Sequence, residues 1–403
     1  MTEPVAAARA RAAGGASAPL PGAPTLSWEP DRLLPGFEAA TLATGGPPPA
    51  ARNGLLALVP PLPHRAASAA LAHDADPGLE PDPDPEPVPA PVATLVRRER
   101  GTPPGSAPQD DLRGVVLHVH GYNDYFFQEH LARAVEDAGF AFFAVDLRAA
   151  GRSLRPGQVP HFVEDLREPA TDLSVAVAAV RGLHPGLPLV VHAHSTGGLV
   201  APLWAHAHRR QHLVDALVLD SPFLDLNSSW LNRTIATRVL DAVGPWSPLA
   251  VLSAAPSAYA THLLAANGGR WDFDPELKRP DGVPVRAGWL RAVRQGQARL
   301  ARGLDVACPV LVAHSASSGP DDLTNPLLDE QDTVLDVEQI ARLAPRVGPD
   351  VTIRSIEGGV HDLTLSADGP REAYLTSMLT WLDARLAHPG RLGHGGRAVG
   401  PTR

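Results

Sequence analysis

A serine placed between a short apolar run and a helix-compatible stretch is the feature that most constrains the fold. Residues 189–194, Leu-Val-Val-His-Ala-His, predict a buried strand, and residues 198–211 predict a helix. The pentapeptide Ala-His-Ser-Thr-Gly at 193–197 is close to the Gly-x-Ser-x-Gly elbow, a sharp turn that lifts a serine hydroxyl above a sheet. Ala193 stands for the first glycine and is the next smallest residue. Ser195 is therefore a candidate nucleophile, and an ordinary turn serine is the alternative.

Apolar strands alternate with helical patterns on both sides of this turn. The pattern predicts strands at 34–42, 92–96, 114–120, 141–146, 189–194, 216–220, 309–314 and 350–356, and helices at 129–137, 170–181, 198–211 and 371–386. Such alternation is typical of a mostly parallel sheet that helices cover on both faces. The predicted fold class is α/β.

Four stretches fall outside this pattern, which suggests how the chain is organised. Residues 1–27 predict a disordered leader, and 388–403 a flexible tail. A first part of the core spans 28–221 and contains a proline-rich insertion at 44–91, which reads as a plain linker or as a partner-binding polyproline segment. The strand pattern lapses over 222–303, and a second part of the core follows at 304–387.

Composition excludes several classes of function. The net charge of −9 leaves no basic field for nucleic acid. The sequence shows no signal peptide and no run of about 18 apolar residues, so we expect a cytoplasmic protein without stable membrane insertion. One cysteine, Cys308, rules out an internal disulfide and is expected to be a buried structural thiol. Lys278 is the single lysine among 35 basic residues, which we interpret as a bias of genome composition.

A nucleophilic serine needs a base, an acid that orients the base, and hydrogen-bond donors for the oxyanion. In parallel sheets these groups lie at the carboxyl ends of strands. His361 follows the last predicted strand after two glycines and is the candidate base. Asp332 is the candidate acid, at the entrance of a helical run expected from 333. It reads alternatively as a helix N-cap, with Asp321, Asp322 and Asp329 as the other candidate acids.

The oxyanion donors are expected to be backbone N–H groups. One comes from Thr196, directly after the serine. The other comes from Tyr122, in the loop that follows the 114–120 strand, where Gly121 permits the required backbone conformation. The chain order is then Ser195, Asp332, His361, which differs from the orders of chymotrypsin and subtilisin. A simple turn at the strand end is the alternative for the second donor.

These residues carry a family resemblance over roughly 92–221 and 304–386. The segments that carry it are His-Gly at 120–121, Asp-Leu-Arg-Ala-Ala-Gly-Arg-Ser at 146–153, His-Ser-Thr-Gly-Gly at 194–198, Asp-Ser-Pro-Phe at 220–223, Asp-Thr-Val-Leu-Asp at 332–336 and His-Asp-Leu at 361–363. They resemble the α/β-hydrolase branch of monoacylglycerol lipases, lysophospholipases and serine aminopeptidases. Ala193, the pair at 149–150 and the proline-rich insertion depart from the family pattern without removing a catalytic group.

The resemblance implies a carboxylic ester hydrolase that forms an acyl-serine intermediate and needs no cofactor or metal. It implies Ser195 as nucleophile, His361 as base and Asp332 as orienting acid, with a small-molecule ester as the partner. Residues 222–303 then read as a helical cap inserted after the sixth strand. The cap is rich in tryptophan and leucine, which suits an apolar acyl or aryl group. The candidate substrate-binding residues are His120, Gly121, His194, Trp230, Trp271 and Trp289.

Several alternatives stay open. The cap residues can instead serve to pack the cap on the core. A peptidase or amidase of the same fold is weakened by the lack of an acidic cluster in the cap, because such a cluster would hold a free ammonium. Two His-x-His pairs, at 118–120 and 192–194, offer four imidazoles to one metal ion. A binding protein that keeps the scaffold without catalysis is the last alternative. The oligomeric state does not follow from the sequence.

Overall fold

A twisted nine-stranded sheet forms the centre of the part of the chain that the structure describes. The computed structural model describes residues 22, 24–45, 89–99, 112–226 and 247–386. The strands of the sheet are β1 (Glu29–Pro30), β2 (Phe37–Ala43), β3 (Val92–Arg98), β4 (Gly114–Val119), β5 (Phe140–Asp146), β6 (Leu189–His194), β7 (Ala216–Asp220), β10 (Val310–Ser315) and β11 (Val351–Ile356). Their order is β1-β2-β3-β5-β4-β6-β7-β10-β11.

The sheet is parallel where the site lies and antiparallel at one edge. Strands β1, β2, β3 and β5 pair antiparallel. From β5 onward each neighbouring pair through β4, β6, β7, β10 and β11 is parallel, with Val116 opposite both Phe142 and Val190. The carboxyl ends of β4, β6, β7, β10 and β11 therefore meet at one edge of the sheet.

Helices cover both faces of the sheet. They are α1 (Glu129–Asp137), α2 (Arg167–Leu183), α3 (Gly197–Ala207), α4 (Ala258–Leu263), α5 (Ala287–Ala301), α6 (Val337–Leu343) and α7 (Asp368–Leu386). Along β4 the odd-numbered Val115, Leu117 and Val119 enter a core shared with α2, α3 and α5. The even-numbered Val116 enters the opposite core, shared with α1 and α7. This double burial is what the continuous apolar strands predict, and the α/β class is confirmed.

The boundaries differ in detail from those expected. Strand β2 begins three residues later than expected, and the two-residue edge strand β1 was not anticipated. The helical run expected from 333 was wrong, because α6 begins at Val337 and is N-capped by Asp336, whose Oδ1 accepts the N–H groups of Glu338 and Gln339. No glycine or proline marks that start, so the pattern alone placed it too early.

Between β7 and β10 the described residues hold α4 and α5 together with a small antiparallel pair, β8 (Val251–Ser253) and β9 (Val285–Arg286). Helix α5 lies against α3, the helix that follows Ser195.

Residues 227–246, which include Trp230, lie outside the described residues, as do most of the leader, the proline-rich insertion and the tail. The domain boundaries therefore stay predictions. Among the helices that the structure describes, none is long and apolar enough to cross a membrane.

A chain of buried polar groups runs between the sheet and α7. The Nδ1 atoms of His118 and His192, on neighbouring strands, lie 2.8 Å apart, and His192 Nε2 lies 2.8 Å from the hydroxyl of Tyr374. Burial, and the neighbouring His192, hold the pKa of His118 well below its usual range. Burial lowers the pKa of His192 to about 4. Both rings are therefore neutral at pH 7.

These two buried, neutral histidines predict that mild acidification lowers the stability of the folded protein. An unfolded chain protonates His192 near pH 6.5 while the folded chain resists protonation to about pH 4, so the unfolded state binds more protons between these values. The free energy of unfolding should fall as pH drops from 7 to 5. His192→Gln should reduce that fall by on the order of 1–2 kcal/mol in urea denaturation. His212→Asn, at an exposed histidine, should leave the fall unchanged. Equal falls in His192→Gln and wild type would contradict the assignment.

Candidate active site

Ser195 occupies a tight turn between β6 and α3. Its φ of 51° lies in the left-handed region, which non-glycine residues rarely adopt. The turn is held from both sides, because the Ser195 N–H donates to the carbonyl of Asp220 at 3.0 Å and its carbonyl accepts the N–H of Phe223 at 2.9 Å. Strained backbone of this kind persists only where the surroundings determine it.

Three glycines bring other backbones against this turn. A Cβ on Gly197 would lie 2.5 Å from the carbonyl oxygen of His120, and one on Gly198 would lie 2.7 Å from Pro222 Cβ. A Cβ on Gly121 would lie 2.9 Å from the Cβ of Ser195. No side chain fits at these positions without displacing its neighbours. Ala193 is tolerated because its methyl group lies in the core and does not face this crowded turn.

The structure brings Ser195, His361 and Asp332 into one hydrogen-bonded series. His361 Nε2 lies 3.0 Å from Ser195 Oγ, and His361 Nδ1 lies 2.9 Å from Asp332 Oδ2. All three side chains are buried, and Asp332 is fully inaccessible to solvent. The imidazole therefore stands between a hydroxyl that can give up a proton and a carboxylate that fixes which ring nitrogen carries one.

Asp332 contacts His361 and is not a helix N-cap, because α6 begins at Val337 and is capped by Asp336. The Oδ2 atom of Asp332 faces His361, while its Oδ1 accepts the N–H groups of Val334 and Leu335, at 2.9 and 2.8 Å, in a turn. The other candidate acids have other partners. Asp321 accepts the N–H of Tyr259 on α4, Asp322 accepts from Thr324, and Asp329 pairs with Arg270. Of these four acids, Asp332 is the one in contact with His361.

The loop that carries His361 is fixed at several backbone positions. Gly358 has a φ of 67°, which turns the chain back over the sheet. The N–H of Val360 donates to Ser366 Oγ, and Asp362 caps the short 3-10 helix at Leu363–Leu365 by accepting from Thr364 N. The N–H of Asp362 itself donates to the hydroxyl of Tyr259 at 2.9 Å.

The two expected oxyanion donors flank the serine. Thr196 follows it directly, and Tyr122 follows Gly121, whose backbone touches Ser195. Within the described ranges neither N–H is taken by a protein acceptor, so both can donate to a ligand. The Tyr122 side chain is held elsewhere, because its hydroxyl donates to the carbonyl of Pro284 and its ring stacks on Trp289 with centroids 4.1 Å apart.

A pocket opens beside this loop and the start of α3. It encloses about 500 Å³, including space open to solvent. Its walls are mostly aliphatic and aromatic side chains from the loops after β4 and β5 and from α3 and α5: His120, Gly121, Tyr122, Leu147, Arg148, Ala150, His161, Val163, Leu166, Pro169, Thr196, Gly197, Leu199, Val200, Trp289 and Val293. The lining suits a small ligand with an apolar part.

The candidate substrate-binding residues divide into two groups. His120, Gly121 and Trp289 line the pocket. His194 and Trp271 do not: the His194 ring lies beneath the site, 4.8 Å from the His361 ring, and Trp271 donates its indole N–H to the carbonyl of Leu365. Trp271 therefore packs its segment on the core, as the alternative for cap residues allowed.

The four histidines of the two His-x-His pairs do not converge on one metal position. The Nδ1 atoms of His118 and His192 contact each other, which leaves no room for an ion between them. Both ring nitrogens of His120 lie against the backbone, Nδ1 at 2.7 Å from the carbonyl of Gly121 and Nε2 accepting the N–H of Leu147. The geometry does not support the metal-hydrolase hypothesis built on these four residues.

A buried charged group below the site was not anticipated from the sequence. Asp124, His194 and Asp362 offer ligand atoms within 4.8 Å of one another, and the ammonium of Lys278 lies 3.0 Å from Asp124 Oδ1. Lys278 places a positive charge beside this acidic group. In the sequence this group is marked only by Lys278 being the single lysine, which genome composition alone does not explain once its partner Asp124 is known.

The charges of this group are set by burial and by direct contacts. Burial lowers the pKa of His194 to about 4, which leaves the ring neutral at pH 7. Burial by itself would raise the pKa of Asp362, but the neighbouring groups bring it below its usual range; they are His194, Thr364, Lys278 and Gln128. Asp362, the residue after the candidate base, is therefore negatively charged at pH 7.

Comparisons with known proteins identify the family to which the chain belongs. The family model described as "Serine aminopeptidase, S33" (Hydrolase_4) matches residues 110–368, well over half of the chain. The monoacylglycerol lipase of Mycolicibacterium smegmatis is 27% identical over 285 residues, which cover 69% of this chain and 91% of that protein.

Solved structures show the same fold at lower identity. A soluble variant of monoglyceride lipase from Saccharomyces cerevisiae, in complex with a substrate analogue, superposes with a TM-score of 0.55 at 19% identity, covering 73% of this chain and 92% of that one. The monoacylglycerol lipase of Paleococcus ferrophilus gives 0.52 at 18% identity, covering 68% and 95%. The chain belongs to the serine aminopeptidase S33 family of α/β-hydrolases, a family of carboxylesterase- and lipase-like hydrolases.

Proposed function

We propose that this protein is a serine esterase that hydrolyses carboxylic esters with an apolar acyl group, of the monoacylglycerol or lysophospholipid kind. The observation that carries the proposal is the series of contacts from Ser195 Oγ through His361 to Asp332, at 3.0 and 2.9 Å. These distances are within the reach that general base catalysis requires.

In the first half of the reaction Ser195 Oγ attacks the ester carbonyl carbon. Its proton passes to His361 Nε2, and the resulting imidazolium is stabilised by Asp332, which accepts the Nδ1–H. The carbonyl oxygen becomes an oxyanion and is bound by the N–H groups of Tyr122 and Thr196. The tetrahedral intermediate then expels the alcohol, which takes the proton from Nε2, and an acyl-serine remains.

In the second half a water molecule repeats the sequence. His361 Nε2 accepts a proton from the water, and the hydroxide oxygen attacks the acyl carbon. The same two N–H groups stabilise the second oxyanion. Collapse breaks the bond to Ser195 Oγ, which regains its proton from Nε2, and the carboxylic acid leaves. No step requires a metal or a redox group.

The pocket and the relative in sequence support an ester with an apolar acyl chain. The pocket beside the serine is walled by residues such as Leu147, Val163, Leu166 and Val293, which would desolvate an acyl group. The Mycolicibacterium smegmatis relative, matched over 91% of its length, is a monoacylglycerol lipase. Both observations favour a short- or medium-chain monoester as the substrate class.

The family description raises a peptidase as the second candidate. An aminopeptidase needs an anion close to the serine to bind the free ammonium of its substrate. Among the described residues that line the pocket there is no carboxylate. Asp124 and Asp362 lie below the site, and Asp124 is paired with Lys278. The lining therefore favours an ester over an amino-terminal peptide.

The proposal predicts that Ser195→Ala abolishes ester hydrolysis without unfolding the protein. We expect a loss of roughly 10³- to 10⁶-fold in kcat on p-nitrophenyl butyrate, because no other group can form the acyl intermediate. Thermal unfolding should be close to that of wild type. A fluorophosphonate probe should label wild type and not the variant. A wild-type protein that neither turns over ester nor takes the label would instead indicate a binding protein on a hydrolase scaffold.

The acid is tested by Asp332→Asn against a carboxylate of the same loop. The amide cannot accept the Nδ1–H as a carboxylate does and favours the wrong tautomer, so we expect kcat to fall by roughly 10²- to 10⁴-fold. The matched control is Asp329→Asn, which removes a surface ion pair with Arg270 and should leave kcat unchanged. Wild-type turnover in Asp332→Asn would show that Asp332 is not the orienting acid.

The pocket is tested by Leu166→Ala with esters of graded acyl length. Removing this wall side chain lengthens the apolar space, so the ratio of kcat/KM for octanoate over butyrate should rise. Each further methylene that becomes buried is worth about 0.8 kcal/mol, or about 4-fold. Leu203→Ala is the control, because Leu203 is a neighbour of α5 outside the pocket lining. An unchanged ratio in Leu166→Ala would place the acyl chain elsewhere.

A further inference from the structure

The position of His361 depends on contacts beyond its two ring nitrogens. The ring is held by Ser195 and Asp332, but the backbone on its far side, at Asp362, is held by a residue from another part of the chain. The N–H of Asp362 donates to the hydroxyl of Tyr259 at 2.9 Å. Tyr259 lies on α4, in the stretch between β7 and β10.

Tyr259 also contacts the imidazole itself. Its ring meets the His361 ring edge to face, with centroids 5.9 Å apart and an interplanar angle of 81°. Such a contact restricts rotation of both rings. The two interactions restrain His361 at its ring and at the peptide that follows it. Tyr259 is not among the described residues that line the pocket beside the serine.

Tyr259 is itself firmly placed. Its side chain is buried, with 4% of its surface exposed, and its N–H donates to Asp321 Oδ1 at 2.7 Å. The Lys278 ammonium lies 5.9 Å from its ring centroid and pairs with Asp124 on the core. Burial raises the pKa of Tyr259 well above its usual value, so the phenol stays protonated. A fixed phenol oxygen is thus presented to the loop that carries His361.

We propose that Tyr259 is a positioning residue for His361, through which the stretch between β7 and β10 sets the alignment of the base. The proposal rests on the esterase function proposed above. Without the hydroxyl, the buried N–H of Asp362 has no partner, and the loop shifts to find one. A shift of a fraction of an ångström moves Nε2 relative to Ser195 Oγ, and misplacements of this size reduce turnover strongly.

The chain contains a matched control for this interaction. Tyr125 is buried in the same hydrophobic cluster as Tyr259, and its hydroxyl also accepts a backbone N–H, that of Asp274, at 2.8 Å. Tyr125→Phe and Tyr259→Phe therefore remove the same kind of hydrogen bond and keep both rings. They differ in whether the lost bond restrains the loop of His361.

The experiment measures kcat, KM and thermal unfolding of both variants with p-nitrophenyl butyrate. Tyr259→Phe should lower kcat about 10-fold with KM unchanged. Tyr125→Phe should keep wild-type kcat and KM, with a decrease in melting temperature similar to that of Tyr259→Phe. A wild-type kcat in Tyr259→Phe, or an equal loss of kcat in Tyr125→Phe, would overturn the proposal, because the bond would then be structural only.

A second readout does not depend on turnover. In proteins with ¹⁵N-labelled histidine, the His361 Nδ1–H that faces Asp332 should give a downfield proton signal, assigned by its absence in His361→Asn. That signal should broaden or disappear in Tyr259→Phe and persist in Tyr125→Phe. If the wild type fails to react with ester or fluorophosphonate, the esterase proposal fails by itself. The Nδ1–H signal still tests whether Tyr259 positions His361. An unchanged signal in Tyr259→Phe would contradict that positioning role.

Discussion

The left-handed turn at Ser195 is the constraint on which the rest of the site depends. A φ of 51° at a serine is unfavourable, and it persists because two hydrogen bonds, to Asp220 at the end of β7 and to Phe223 in the loop after it, fix the residue on both sides. That conformation directs the hydroxyl away from the sheet and toward His361. It also requires that Gly121, Gly197 and Gly198 carry no side chain, since each position lies against another backbone or side chain. The backbone conformation of this turn therefore determines where the catalytic side chains can lie.

The sequence predicts those parts of this arrangement that depend on residues close to one another in the chain. The strand-turn-helix around Ser195 is visible because the apolar run, the serine and the glycines are contiguous. His361 is visible because two glycines separate it from a strand. Asp332 is harder, since several carboxylates share its loop and the helix start expected at 333 lies instead at Val337. The choice among them is made by long-range packing, which places Oδ2 of Asp332, and not the other acids, against His361.

What the sequence does not show are contacts between distant segments. The pairing of Lys278 with Asp124 joins residues 154 positions apart, and that of Tyr259 with Asp362 joins residues 103 positions apart. Neither of these two pairings is indicated by a pattern of neighbouring residues in the sequence. The same limit applies to the tryptophans: Trp289 stacks on Tyr122 at the pocket, while Trp271 fixes its segment to the core. Composition alone predicts the same substrate-binding role for both tryptophans. In each case burial and partner, not residue type, decide the role.

The central claim is that Ser195 Oγ is the nucleophile and that an oxyanion formed there is bound by the N–H groups of Tyr122 and Thr196. The most direct measurement is a crystal structure of the protein after reaction with an alkyl fluorophosphonate. The account predicts phosphorus bonded to Ser195 Oγ, the phosphoryl oxygen within hydrogen-bond distance of both N–H groups, and the alkyl chain in the pocket beside Trp289. An adduct on another residue, or a phosphoryl oxygen turned away from Tyr122 and Thr196, would contradict it.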